Sequence, residues 1–357
     1  MSDAATTTNL LGLPRPELER FVAELGSKPF RARQLMQWIY QRAEPSFERM
    51  TDLAKSFRAE LAVHACVRAP EIIREQRSAD GTRKWLLRAD GSQAFEMVYI
   101  PEPDRATLCI SSQVGCALDC AFCSTAQQGF NRNLTTAEIV GQVWLANREL
   151  AGTVADLARD RAVTNVVPAL DILLDDFGFD LSRRRVTLST SGLVPQIYKL
   201  AEHSNVALAV SLHAPDDALR NELVPINRKH PIDELLSACW HYIDERNGRS
   251  VTFEYVLLEG VNDSRAQARA LAALLAGHPA KVNLIPFNPF PGTRFRRSPP
   301  EAVHAFRDEL LRRGVLATVR RTRGDDIDAA CGQLAGRVID RTTVRLGSRA
   351  FGLAVQA

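Results

Sequence analysis

From Thr107 onward, short apolar runs alternate with helix-periodic ones, and no other feature of the sequence restricts the fold so strongly. The apolar runs read TLCIS, AVTNVV, RVTLS, VALAVSL, VTFEYVLL, KVNLIPF and LATVRR. Between them lie helix-like segments such as TTAEIVGQVWLANREL and SRAQARALAALLAG. In the first of these, Thr135 and Glu138 have the spacing of a capping box, in which each side chain bonds the other's backbone N–H at a helix start. Strands separated by helices pair in parallel, because a tight turn joins only antiparallel neighbours. Six or seven such units predict an α/β fold with a closed or partial barrel, whose site-forming loops follow the strands.

The first eighty or so residues carry a different pattern. In FRARQLMQWIYQR, Leu35, Trp38 and Ile39 fall at helical spacing, and Leu53, Phe57 and Leu61 repeat it, which predicts a small helical domain over residues 1–80. In DGTRKWLLRADGSQAFEMVYIP, Asp90-Gly91 separates two alternating runs and predicts a hairpin linker over 81–101. The β/α core then spans 102–324, and a C-terminal extension spans 325–357.

No apolar run approaches the roughly 20 residues of a membrane span, and MSDAATTTNLLG lacks the basic and apolar regions of a signal peptide. A cytoplasmic protein with no membrane contact is expected. The net charge of +3 is mild, but from residue 281 onward fourteen Lys or Arg face seven Asp or Glu. Basic positions near Arg183, Arg296 and Arg321 form either a solvated face or a surface for a polyanion.

Four of the seven cysteines lie in CISSQVGCALDCAFCSTAQQG, residues 109–129. In a large cytosolic chain, clustered cysteines more often bind metal or do chemistry than form structural disulfides. A structural zinc site uses four ligands, usually in two close pairs, and the nearest spare thiol, Cys109, lies on the preceding predicted strand. An iron-sulfur cube held by Cys116, Cys120 and Cys123 leaves one iron open to a substrate or cofactor. Cys66 and Cys239 lie in ordinary helical patterns and read as core residues.

This C-x3-C-x2-C pattern, with Phe122 before its third cysteine, resembles that of radical S-adenosylmethionine (SAM) enzymes. The runs SSQVGC, FCSTAQQGFNRNL, STSGLVP, SLHAP, LVPIN, NLIPFNPFPG and TRGDDIDAACGQLAG resemble the RlmN family of RNA methyltransferases, from about residue 26 nearly to the C-terminus. The resemblance implies a partial (β/α)6 radical-SAM barrel with a small N-terminal helical domain and a C-terminal extension. It implies a 4Fe-4S cluster, two SAM molecules per methyl transferred and an external, flavodoxin-like electron donor. Its substrates are 23S rRNA, at an adenosine of the peptidyl-transferase centre, and certain tRNAs, at the adenosine next to the anticodon. Carbon 2 of adenine lies between two ring nitrogens and is electron-poor, so a radical route to its methylation makes chemical sense.

Residue by residue, the resemblance assigns the methyl carrier to Cys331 and release of the RNA adduct, as a disulfide, to Cys109. It assigns removal of the carbon 2 proton to Glu96, and cofactor contacts to Ser189, Ser211, Leu212, His213 and Asn288. On the residues alone, Glu96 is either an exposed strand residue or a general base, and His213 reads equally as a core or rim histidine. A third reading, methylation of carbon 8 as in the related Cfr enzymes, follows the motifs less closely.

One departure stands out. The family has a loop of G-M-G-E-P-L type after its second core strand, where a Gly-Glu pair contacts the cofactor's amino group. Here Val167 is followed directly by Pro168, a natural first helical residue, and about a dozen family residues are missing. On that gap rests the alternative reading, an RNA-binding iron-sulfur protein that does no chemistry.

Overall fold

A computed structural model describes residues 7–150, 157–158, 163–246, 250–330, 332–333, 336 and 338–341. The N-terminal layer holds the helices Arg15–Glu24, Phe30–Met36 and Lys55–His64. Apolar residues three or four positions apart fall on one helix face, so Leu18 and Val22, Leu35 and Ile39, and Phe57 and Leu61 are buried together. The layer is fastened to the core by polar bonds. The Trp144 indole donates to the Ile39 carbonyl at 2.7 Å, and the Arg15 guanidinium pairs with Asp175 at 2.6 Å.

The remainder is organised on one sheet of ten strands. In chain order these are β1 Ile72–Arg77, β2 Arg83–Arg88, β3 Ala94–Pro101, β4 Ala106–Cys109 and β5 Leu157–Ala158. They continue as β6 Val186–Thr190, β7 Ala207–Ser211, β8 Val251–Leu257, β9 Ala280–Pro286 and β10 Leu316–Val319. Their order in space is their order in the chain. β1 to β4 pair antiparallel, and β4 to β10 pair in parallel. A doubly wound sheet would reverse its order at a switch point, whereas an unbroken sequential run is the wall of a β/α barrel. Among the described residues its two ends are not hydrogen-bonded to each other, as expected of a partial barrel.

The predicted capping box forms: Thr135 accepts the Glu138 N–H at 3.2 Å, and Glu138 accepts the Thr135 N–H at 2.8 Å. A second box, Ser264 with Gln267, opens the helix Arg265–Leu274. Among the described residues no helix is long and apolar enough to cross a membrane.

Within the run AVTNVV, residues 163–167 do not form a strand. Val163–Leu174 is one helix, and Pro168 lies inside it rather than at its first position. The β-branched residues favour a strand locally, but Val166, Ala169, Leu170 and Leu173 follow helical spacing and are all buried, so packing overrides propensity. The second parallel position of the wall is filled instead by the two residues of β5. Leu157 and Ala158 pair with Leu108 and Cys109 on one side and with Val186 and Thr187 on the other.

The C-terminal segment closes back onto the loop between β1 and β2 through two carboxylates. Asp80 accepts the N–H of Thr82 at 2.9 Å and that of Gly324 at 3.1 Å, while Asp326 accepts from the Ser78 hydroxyl and the Ala79 N–H. Gly324 has φ +63°, and a Cβ there would stand 2.7 Å from the Ala329 side chain, so the turn needs glycine. Partial burial raises the Asp80 carboxyl, but hydrogen bonds from Thr82, Gly324 and Ser78 outweigh it and hold it at about 2, below the ordinary 3.8. A carboxyl depressed in the folded state stabilises above its ordinary value and loses that contribution as pH falls through the folded one. Hydrogen exchange at residues 324–330, corrected for the intrinsic rate, is therefore expected to be slow above pH 3.8 and to quicken as pH approaches about 2. In Asp80→Asn it is expected to be several-fold faster at neutral pH as well.

Candidate functional site

The cysteine loop leaves β4 through Gln113–Gly115, which pairs with Phe130–Asn133 and pins both ends of the intervening loop. Gly115 has φ +74°, and a Cβ there would meet the Gly129 carbonyl oxygen at 2.1 Å, so only glycine permits the close crossing. Within the loop the Leu118 N–H donates to the Cys116 sulfur at 3.4 Å. The Ala121 N–H donates to the Leu223 carbonyl at 3.1 Å, and the Ser124 N–H to the Gly332 carbonyl at 2.8 Å. Cys116 and Cys120 are buried, Cys123 is half-buried, and all three line one cavity of about 210 Å³, several times the ~30 Å³ of one water.

The cavity opens at the C-terminal ends of the parallel strands, where barrel sites form. Ser189 near the end of β6, Ser211 at the end of β7 and Cys109 at the end of β4 all line it, and so does His213. His213 is buried with φ +63°, a strained backbone for a residue with a side chain. Its Nδ1 accepts the Val256 N–H at 3.0 Å, so a neutral ring carries its proton on Nε2. The Phe122 ring meets His213 edge-on at 4.7 Å. Buried Asn262 binds the His213 and Val256 carbonyls at 2.9 and 2.7 Å, fixing this turn.

Glu96 is buried, at 7% side-chain exposure, so it is not an exposed strand residue. Both faces of β3 are covered: Phe95 and Met97 pack into the main core, while Val98 and Ile100 cluster with Cys109 and Ala329. Glu96 lines the cavity shared by the three loop thiols. Cys331 lies outside the described residues, but its neighbours are placed. Gly332 borders the same cavity, and Ala330 borders a smaller space on the other side of Cys109. No disulfide joins any two of the described cysteines, and the partner expected for Cys109, Cys331, lies outside them.

Two expected cofactor residues stand elsewhere. Leu212 is fully buried in the core, its N–H bound to the Glu254 carbonyl at 3.0 Å and its own carbonyl bound by Arg220. Asn288 borders the smaller space and accepts from Arg297 at 2.5 Å and Thr322 at 3.3 Å. Of the basic positions, Arg183 and Arg321 are exposed, while Arg296 pairs with Glu259 at 2.6 Å. Cys239 is a core thiol that burial pushes up to about 12, hence unreactive.

Several residues were not anticipated from sequence. Arg220 is fully buried and clamps two strand ends, donating to the carbonyls of Ser191 at 2.9 Å, Ser211 at 3.0 Å and Leu212 at 3.0 Å, and to the Asn227 side chain at 2.6 Å. Burial lowers its guanidinium to about 10, against the opposing pull of Cys120 and Asp217, and it stays charged at neutral pH. Lys84 and Glu254 are the other two, and only the fold brings them to the site. The sequence signal for Arg220 was faint, an arginine one helical turn before the apolar Leu223-Val224 pair.

Among the described residues no three His, Cys, Asp or Glu side chains converge on a single metal ion. A cube asks something different, since each cysteine binds a different iron and the thiols need only border one cavity. These three do, with a backbone N–H at one sulfur and a buried cation nearby. The donor set fits a 4Fe-4S cluster, and the serines and His213 at the strand ends supply polar contacts for a cofactor bound beside it.

Comparison with known proteins agrees with this arrangement. Residues 8–67 match the ribosomal RNA large subunit methyltransferase N-terminal domain, and residues 110–272 match the radical SAM superfamily. The dual-specificity RNA methyltransferase RlmN of Alkalilimnicola ehrlichii is 55% identical over 343 residues, covering 94% of this chain and 95% of its own. A crystal structure of a radical SAM methyltransferase from Sphaerobacter thermophilus superposes with a TM-score of 0.85 at 44% identity, over 92% of this chain and 99% of that one.

Removing the Arg220 clamp leaves several buried acceptors without a donor, at about 1–3 kcal/mol each before relaxation. Arg220→Met is expected to lower unfolding stability in urea by at least about 3 kcal/mol, and Arg220→Lys, which restores one charge but not the fork, by less.

Proposed function

The chain belongs to the RlmN family of radical SAM RNA methyltransferases, and from that premise we propose that it methylates carbon 2 of one adenosine in the peptidyl-transferase centre of 23S rRNA and of the adenosine next to the anticodon in certain tRNAs. Its cofactors are a 4Fe-4S cluster and SAM, two molecules of SAM for each methyl transferred. Cys116, Cys120 and Cys123 would hold the cluster, and Ser189, Ser211 and His213 would contact SAM. When bound, the pair supplies a methyl group and a hydrogen-abstracting 5′-deoxyadenosyl radical.

The remaining steps belong to the chain's own residues. Cys331 carries the methyl group toward the base, and Glu96 removes the proton from carbon 2; the Cys109 thiolate then attacks the Cys331 sulfur, so that the S–C bond to the base breaks, the released carbon takes a proton to become the methyl group, and the two cysteines are left as a disulfide. Burial of the site shields a carbon radical from dioxygen and from hydrogen-atom donors in solution. Residues 1–80 and the exposed arginines 183 and 321 contact RNA, the 81–101 hairpin joins that layer to the 102–324 core as strands β2 and β3 of its sheet, and 325–357 carry the methyl-bearing thiol. A flavodoxin-like protein supplies electrons, and the reaction takes place in the cytoplasm.

The observation that carries this reading is the lining of one cavity: Glu96, Cys109, the three loop thiols and Gly332, next to Cys331, all border it. An RNA-binding protein without chemistry has no use for that set together, and the 55% identity to a curated enzyme extends across nearly the whole chain. The gap expected after Val167 falls inside the helix Val163–Leu174, so the missing family loop is counted as lying before that helix, and its loss is read as tolerated.

The test is anaerobic: protein with reconstituted cluster, SAM, reductant and an rRNA fragment, with 5′-deoxyadenosine and 2-methyladenosine measured together. Both are expected from the unaltered chain. Glu96→Gln is expected to keep 5′-deoxyadenosine formation while losing roughly 100-fold or more of 2-methyladenosine, the usual share of a general base. Absence of both products from cluster-loaded protein, with no rescue on inserting a Gly-x-Gly-Glu-Pro loop before Val163–Leu174, would overturn the assignment.

A further inference from the structure

Glu96 does not stand alone in its buried setting. In the antiparallel register of β2 and β3, Leu86 faces Glu96 and Lys84 faces Val98. Positions 84 and 86 share one face of β2, so Lys84 and Glu96 are diagonal neighbours, within reach of two long side chains. They meet: the Lys84 Nζ lies 3.4 Å from Glu96 Oε1, with side-chain exposures of 6% and 7%. The same ammonium donates to the Asp328 carbonyl at 3.2 Å. Asp328 has φ +50° and leads into Ala329 and Ala330, both buried, immediately before Cys331.

Each contact has a separate physical consequence. A carboxylate taken out of water without a counter-charge binds a proton, because desolvation penalises its charged form. A protonated Glu96 could not accept another. An ammonium at 3.4 Å favours the ionised form, and its bond to the Asp328 carbonyl ties the C-terminal segment to the same point. The other ionisable groups facing Glu96 are Cys109 on β4 and, across the cavity, the loop thiols, His213 and Glu254. Lys84 is a cation that the described residues place in contact with the carboxylate.

We propose that Lys84 is a positioning residue for the methyl transfer: its ammonium keeps Glu96 ionised and aimed into the cavity, and it docks the segment that presents Cys331. This rests on the reading of Glu96 as the base that takes the carbon 2 proton.

The test compares cluster-loaded Lys84→Met, Lys84→Arg and Glu96→Gln with the unaltered chain. Readouts are 2-methyladenosine formation across pH, the KM for RNA, 5′-deoxyadenosine as a control, and hydrogen exchange at residues 325–330. Lys84→Met is expected to lower kcat roughly tenfold or more near neutral pH with little change in KM, and to recover as pH rises, because a carboxyl that has lost its counter-charge ionises at higher pH. Its exchange at 325–330 is expected to quicken, whereas that of Glu96→Gln, which keeps the Asp328 bond, is not. Lys84→Arg, with charge retained, is expected to keep the original pH profile. A Lys84→Met enzyme with an unshifted pH profile, or a Lys84→Arg enzyme with the profile of Lys84→Met, overturns the role of Lys84. If Lys84→Met fails to fold, Lys84→Arg against Glu96→Gln decides: an arginine variant with an altered pH profile overturns the inference. Full activity in Glu96→Gln instead overturns the reading of Glu96 itself, so the two failures are distinguishable.

Discussion

Everything functional in this molecule hangs on one hydrogen-bonded ladder laid down in chain order. Because β4 to β10 run in parallel without a reversal, their C-terminal ends gather on one side, and each following loop delivers its residues there. Cys109, Ser189, Ser211 and His213 are far apart in sequence and meet around one cavity for that reason. The antiparallel strands β1 to β3 extend the same ladder, which carries Glu96 and Lys84 to the edge of that cavity.

A buried site of this polarity is stable only if its polar groups are paired. Three side chains do most of that work. Arg220 gathers the carbonyls at the ends of β6 and β7, Asn262 fixes the turn that carries His213, and Lys84 joins β3 to the C-terminal segment. Each is long or forked enough to serve several partners at once, so one residue holds two or more chain segments in register. The cluster loop is tied in the same manner, with backbone bonds from Ala121 to Leu223 and from Ser124 to Gly332. The cysteine loop, the strand ends and the C-terminal segment therefore form one connected assembly.

The gap in the sequence has its structural counterpart at β5. The wall remains continuous there with two residues, because backbone pairing to β4 and β6 requires only N–H and C=O groups at the right spacing. The residues read as its strand, Val163 to Val167, were instead drawn into the helix by their continuity with PALDILL. A β-branched run reads as a strand in isolation; Val166, Ala169, Leu170 and Leu173 behave as a helix because the core lies along one side of them.

The sequence by itself determined the β/α alternation, the Thr135 cap, the Asp90-Gly91 hairpin and the cysteine spacing, since periodicity, capping and ligand spacing act over a few residues. It also singled out Glu96 but left its burial open, because one strand's alternation does not say whether its second face is covered. Only the tertiary structure decided that this face is sealed by Cys109 and Ala329, and that Lys84 reaches Glu96. It likewise decided that Leu212 turns into the core, while Arg220 spans two strand ends. Those outcomes depend on register and packing between distant segments, whose partners no local pattern names.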